Sequence, residues 1–181
     1  MRVITGSAKG RKLTTLEGMA TRPTSERSKE GIFSALQFEI EGRRVLDLFA
    51  GSGQLGIEAL SRGAAFCVFV DASQEACDIV KENLRSTRLS SQGRVIRSDA
   101  LAFLQSPGDP YDIAFLDPPY AAGLLPAALE GCAARMRESG VIVCESDEGT
   151  PLPENVGGFR IDREYRHGRV HLTFYRKEVS L

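Results

Sequence analysis

The sequence predicts a doubly wound α/β fold around a mostly parallel sheet. Short apolar runs alternate with helical patterns through the centre of the chain, and those runs lack the polar alternation of a half-exposed strand. A glycine-rich turn also stands between one such run and the helix after it. At 181 residues the chain is long enough for one well-buried core and short for two, so residues 1–181 read as a single domain. A basic arm over 1–22 precedes a helix and an α/β core over 23–181.

The elements follow in order. Residues 2–5 and 11–14 read as two short strands around the turn-forming segment 6–10, a small β-hairpin arm. After Pro23, Thr24 or Ser25 can cap a helix whose apolar face is Ile32, Phe33, Leu36 and Phe38 and which ends before Gly42. Strands are predicted over 45–49, 66–70, 94–97, 113–116 and 141–144, with helices over 55–62, 73–85, 100–104 and 124–137 between them. Segment 146–158 is rich in Gly, Pro and acids and reads as a loop. Strands over 159–166 and 170–176, joined at His167-Gly168, close the sheet as an antiparallel hairpin and bring its count to seven.

Composition excludes several classes. With 42% hydrophobic and 26% charged residues the chain is an ordinary globular one. No apolar run reaches membrane-spanning length and the first residues lack the apolar stretch of a secretory signal, so a cytoplasmic location is expected. Cys67, Cys77, Cys132 and Cys144 are widely separated and only His167 and His171 accompany them, so neither a zinc site nor disulfides are expected. The net charge of −1 hides an uneven distribution: residues 1–30 carry seven basic against three acidic side chains, and residues 159–177 six against two. Two basic ends suit contact with phosphates if the fold brings them together; a solvated charged surface is the plainer reading.

Gly51, Gly53 and Gly56 satisfy G-x-G-x-x-G between a strand and a helix, where missing side chains let the backbone turn sharply and approach a nucleotide-like ligand. Alone, this pattern also fits a dinucleotide or a tight packing turn. Asp47, four residues before Gly51, places a negative charge beside the loop, which repels a pyrophosphate but suits the ammonium and sulfonium of S-adenosylmethionine. Asp71 ends the next strand, where a carboxylate can accept from ribose hydroxyls, and Asp99 follows the third strand, where it can meet an adenine amine or simply cap the next helix. The candidate cofactor-binding residues are Asp47, Phe49, Gly51, Ser52, Gly53, Asp71, Ala72, Asp99 and Ala100.

Asp117-Pro118-Pro119-Tyr120 follows an apolar core strand at its carboxyl end, where open α/β sheets place ligands. Two prolines form a stiff corner whose carbonyls lack neighbouring backbone donors, so they can accept from an amine. Asp117 can take one N–H of an exocyclic base amine and the Pro118 carbonyl another, and a carboxylate here stabilises charge developing on a weakly nucleophilic nitrogen. Tyr120 offers an aromatic face for a base taken out of its stack. The plain alternative is a rigid turn with Tyr120 packed in the core.

These residues resemble class I methyltransferases acting on exocyclic amines. The opening MRVITGSAKGRKL, the TRPT segment at 21–24, the stretch GIEALSRGA at 56–64 and YRHG at 165–168 narrow the resemblance to the RsmD family of 16S ribosomal RNA guanine-N2 methyltransferases. That resemblance implies a seven-stranded Rossmann-like fold and methylation of one guanine in 16S ribosomal RNA, of the guanine 966 type. It implies S-adenosylmethionine as donor, S-adenosylhomocysteine as product, no metal, and a monomer working on an assembled or partly assembled 30S subunit. Carried over, Asp47, Gly51 and Gly53 hold the methionine part, Asp71 the ribose, Asp99 the adenine, and Asp117 through Tyr120 the target base. Arg22 and Pro23 sit near the mouth of the site, with Arg2, Lys9, Arg11, Lys12 and Arg166 on the RNA. The rival readings are methylation of adenine N6 in RNA or DNA, or of a protein glutamine; a nicotinamide-dependent oxidoreductase; and an RNA-binding module without turnover.

Overall fold

The computed structural model describes residues 1–16, 24–119 and 123–178. The strands are β1 (Arg44–Leu48), β2 (Phe66–Asp71), β3 (Gly93–Arg97), β4 (Tyr111–Leu116), β5 (Met136–Asp147), β6 (Asn155–Val156), β7 (Phe159–His167) and β8 (Val170–Lys177). They form one sheet in the order β3-β2-β1-β4-β5-β8-β7-β6. The first five are parallel and the last three antiparallel. The strand order reverses between β1 and β4, and the carboxyl ends there open the crevice in which doubly wound folds bind ligands.

Helices α1 (Glu26–Leu36), α2 (Gln54–Ser61) and α3 (Gln74–Ser86) cover one face, and α4 (Ala100–Gln105) and α5 (Leu125–Ala133) the other. Successive strand residues feed opposite cores: Val45, Phe69, Ile113 and Phe115 pack with Phe33, Leu36 and Leu60, while Leu46, Val68, Val70 and Leu116 pack with Leu104, Leu125 and Leu129. Burial on both faces explains why these strands read as continuous apolar runs. Caps fix the helix starts: Ser25 accepts from the Ser28 N–H, Ser73 from Ala76 and Asp99 from Ala102. The four cysteines are buried thiols.

Several expectations need correction. The sheet has eight strands, because residues 155–156 inside the expected loop pair with β7, and β5 runs on through Asp147. The arm is a shorter hairpin than expected: residues 1–3 and 10–13 exchange antiparallel backbone hydrogen bonds around the single Arg2–Lys12 bridge, and the pairing stops at Ile4 and Thr5, whose N–H groups donate to Glu58 of α2. The first helix stops at Leu36, so Phe38 leaves its apolar face and is 92% exposed. The helix expected over 124–137 ends at Ala133, since Met136 already pairs with Tyr111 as the start of β5. The closing turn falls at Gly168-Arg169, one residue later than expected.

Candidate active site

The glycine loop is built by its neighbours. Phe49 takes a φ of 63°, a left-handed conformation uncommon for a side-chain-bearing residue, and Gly51 follows at 57°. The Ala50 N–H donates to the Val70 carbonyl at 2.9 Å, tying the loop to the end of β2. Asp71 accepts from the Gly51 N–H on one oxygen and from the Ser73 N–H on the other, each at 2.9 Å. Gly56 lies where α2 meets β2: a Cβ there would come within 2.3 Å of the Phe69 ring. That glycine serves helix-to-strand packing.

Asp47 departs from its expected part. It is buried beneath the loop, where its carboxylate accepts from the Gly56 N–H at 2.9 Å and caps a helix whose own N-cap, Gly53, has no side chain. Burial pushes its carboxyl up to about 8, against that hydrogen bond. It is therefore not the open negative charge its position in the sequence suggests.

The donors and acceptors of the loop bear on which ligand fits. The N–H groups of Gly51, Gly53 and Gly56 are already taken by Asp71, the Ala50 carbonyl and Asp47, so none of the three glycines offers its N–H to a pyrophosphate. Acceptors remain. The buried Gln54 Oε1, in the first turn of α2, has no partner among the described residues, and Asp71 keeps lone pairs beyond its two bonds. Such a set suits a ligand that brings ammonium, sulfonium and hydroxyl groups, as S-adenosylmethionine does. Ser52 contributes its carbonyl to the buried Asn83 amide at 2.9 Å.

Along the same edge, Asp99 uses one oxygen to accept from Ala102 at 2.9 Å and is exposed, so the capping reading holds and the second oxygen keeps its lone pairs. Ala100 is buried, and Ala72 is exposed with its carbonyl 3.4 Å from Arg97 Nε.

β4 ends at Leu116 and delivers Asp117, half-buried, then Pro118, buried, and Pro119, exposed. Tyr120, Arg22 and Pro23 lie outside the described residues. Thr24, at the entry to α1, donates its hydroxyl to Asp117 Oδ2 at 2.7 Å and lies 3.2 Å from Glu145 Oε2. Burial holds the Asp117 carboxyl well above the usual carboxylate range, the Glu145 charge adds to this, and the Thr24 hydrogen bond opposes it. A shallow recess beside the corner is lined by Pro118, Pro119, Leu125, Glu145 and Ser146. Thr24 and Glu145 are absent from the sequence-derived site. Glu145 carries the signal that singles out Asp71, an acid at the carboxyl end of an apolar strand, whereas Thr24 has the weaker one of a polar residue beside Arg22-Pro23.

The basic ends are only partly available. Arg2, Lys9, Arg11, Lys12 and Arg166 are exposed, but Lys29, counted in the basic end, is buried against Glu58. Both ends approach α1: Lys29 Nζ donates to the Arg2 carbonyl at 3.0 Å, and the His167 ring lies beside Gly31. Asn83 joins the arm to the glycine loop, exchanging two hydrogen bonds with the Thr14 backbone while holding Ser52. Among the described residues no group of three His, Cys, Asp or Glu is placed to hold a metal ion, and no helix is long and apolar enough to cross a membrane.

Comparison with known proteins places this architecture. The family model Conserved hypothetical protein 95 matches residues 1–176. YlbH of Bacillus subtilis is 42% identical over 182 residues, covering 98% of this chain and 99% of its own. Ribosomal RNA small subunit methyltransferase D of Escherichia coli is 34% identical over 182 residues, covering 99% and 91%. The solved structure of yhhF from Escherichia coli superposes with a TM-score of 0.89 at 34% identity and covers 99% of both chains.

Proposed function

This chain belongs to the Conserved hypothetical protein 95 family, the RsmD family, and from that premise we propose that it methylates the N2 amine of one guanine in 16S ribosomal RNA, using S-adenosylmethionine. The observation that carries the reading is the Asp117-Pro118-Pro119 corner beside an acceptor-rich glycine loop, in one crevice of a fold shared with methyltransferases. When bound, S-adenosylmethionine supplies a methyl group on a sulfonium and leaves as S-adenosylhomocysteine.

The residues divide the work. Asp71 takes the ribose hydroxyls while it holds Gly51 in place, and Gln54 Oε1 takes an N–H of the methionine ammonium. Asp99 turns its second oxygen to the adenine amine. Asp117 and the Pro118 carbonyl accept the two N–H groups of the target amine and aim its lone pair, and orientation of this kind removes much of the barrier. Burial raises the proton affinity of Asp117, which suits it to take the proton the nitrogen sheds after transfer. The exposed Lys9, Arg11 and Lys12 meet RNA phosphates on the small subunit.

The reading is tested by transfer of labelled methyl from S-adenosylmethionine to 30S subunits lacking their native methylations, followed by digestion to nucleosides. N2-methylguanosine confined to 16S RNA is expected. Label in N6-methyladenosine would overturn the substrate while keeping the chemistry.

A further inference from the structure

Asp117 and Glu145 stand side by side for a reason set by strand register. β4 and β5 run parallel with Leu116 opposite Cys144, and each acid is the next residue beyond that pair. Neighbouring strands hold such residues roughly 5 Å apart. The Thr24 hydroxyl spans the gap, 2.7 Å from one carboxylate and 3.2 Å from the other. Glu145 is only 5% exposed, yet it lines the recess that opens beside Pro118, so the edge of a base at the corner can reach it. Asp117 and a proline carbonyl already suffice to hold an amine, and Glu145 adds a second carboxylate one strand away at the edge of the same recess.

We propose that Glu145 selects guanine by accepting the ring N1–H that adjoins the amine held at Asp117. This rests on the guanine-N2 reading and adds to it the group that reads the base. Guanine presents N1–H and the N2 amine as adjacent donors, and two carboxylates one strand apart match that row of donors. A carboxylate has about four lone-pair positions and can serve several donors at once, the Thr24 hydroxyl among them. Adenine fails the match, because both ring nitrogens flanking its amine are acceptors and bring lone pairs against a carboxylate. Sites built to hydrogen-bond a donor reject analogues that lack it far more strongly than apolar pockets reject a missing methylene.

The test compares guanine with 2-aminopurine, which keeps the 2-amine but has an unprotonated N1. Small subunits are reconstituted with 16S RNA carrying one or the other at the methylated position, and kcat/KM is measured for the wild type and Glu145→Gln. The wild type should favour guanine by at least about a hundredfold. Glu145→Gln, which replaces one acceptor oxygen by a donor, should lose activity on guanine, hold or gain it on 2-aminopurine, and compress the ratio. A wild type that treats the two bases alike overturns the proposal whatever the variant does. So does a variant that slows both equally, which is the mark of a merely structural residue. A wild type inactive on guanine but active on another base would instead remove the guanine-N2 reading, and this proposal with it.

Discussion

The Lys29 ammonium and the Glu58 carboxylate meet at 3.1 Å with neither side chain exposed. Polar groups close around them: Lys29 also donates to the Arg2 carbonyl, and Glu58 accepts from the Ile4 and Thr5 N–H groups and from Arg62. The arm, α1 and α2 therefore share one buried network. Lys29→Met removes the fully buried one of Glu58's two counter-charges, leaving Arg62, and should cost about 3 kcal/mol in urea unfolding. A loss below about 1 kcal/mol would show that the pair does not anchor the arm.

Asp47 gives stability a pH dependence. Its carboxyl is held at about 8 in the folded protein against an ordinary 3.8. The folded state thus binds a proton that the unfolded chain has released, and this contribution is complete below the lower value and lost as pH rises through the higher one. Asp47→Asn keeps the acceptor for the Gly56 N–H and removes the titration. Unfolding free energies measured between pH 4 and 8 should fall with pH more steeply in the wild type than in the variant. Parallel curves would mean that another group carries the slope.

Turnover should report the ionisation of Asp117. The amine needs an ionised acceptor there, so kcat should rise with pH along a limb lying above the usual carboxylate range. Thr24→Val removes the hydrogen bond that opposes the shift, and the limb should move to still higher pH. An unmoved limb would assign it to a different group.

The arm should act through phosphate. Replacing the exposed Arg11 and Lys12 together by Gln should weaken binding to the small subunit and reduce its salt slope by about 1–2. An unchanged slope would place the arm off the RNA.

The parallel core and the crevice were legible because their signals are local. Apolar runs such as 66–70 are buried on both faces, and glycines 51 and 53 stand where the backbone takes positive φ. Asp71 and Asp117 announce themselves as acids closing apolar strands. What stayed out of reach depends on distant partners. Asp47 reads as an open charge until Gly56 is folded over it, and Lys29 reads as a surface cation until Glu58 meets it. Glu145 obeys the same strand-end rule as Asp117 but runs straight into an aperiodic segment, and only the β4–β5 register sets the two acids together. Phe38 shows the limit of periodicity, since one turn less of helix turns a core position into an exposed one.

The division of labour between the loop and the corner is tested most directly with Asp117→Ala, by measuring S-adenosylmethionine binding and methyl transfer on the same preparation. Binding within about twofold of wild type, with transfer reduced roughly 100- to 10,000-fold, is the predicted result. Transfer that survives the substitution would contradict it, because the corner would then hold no part of the chemistry.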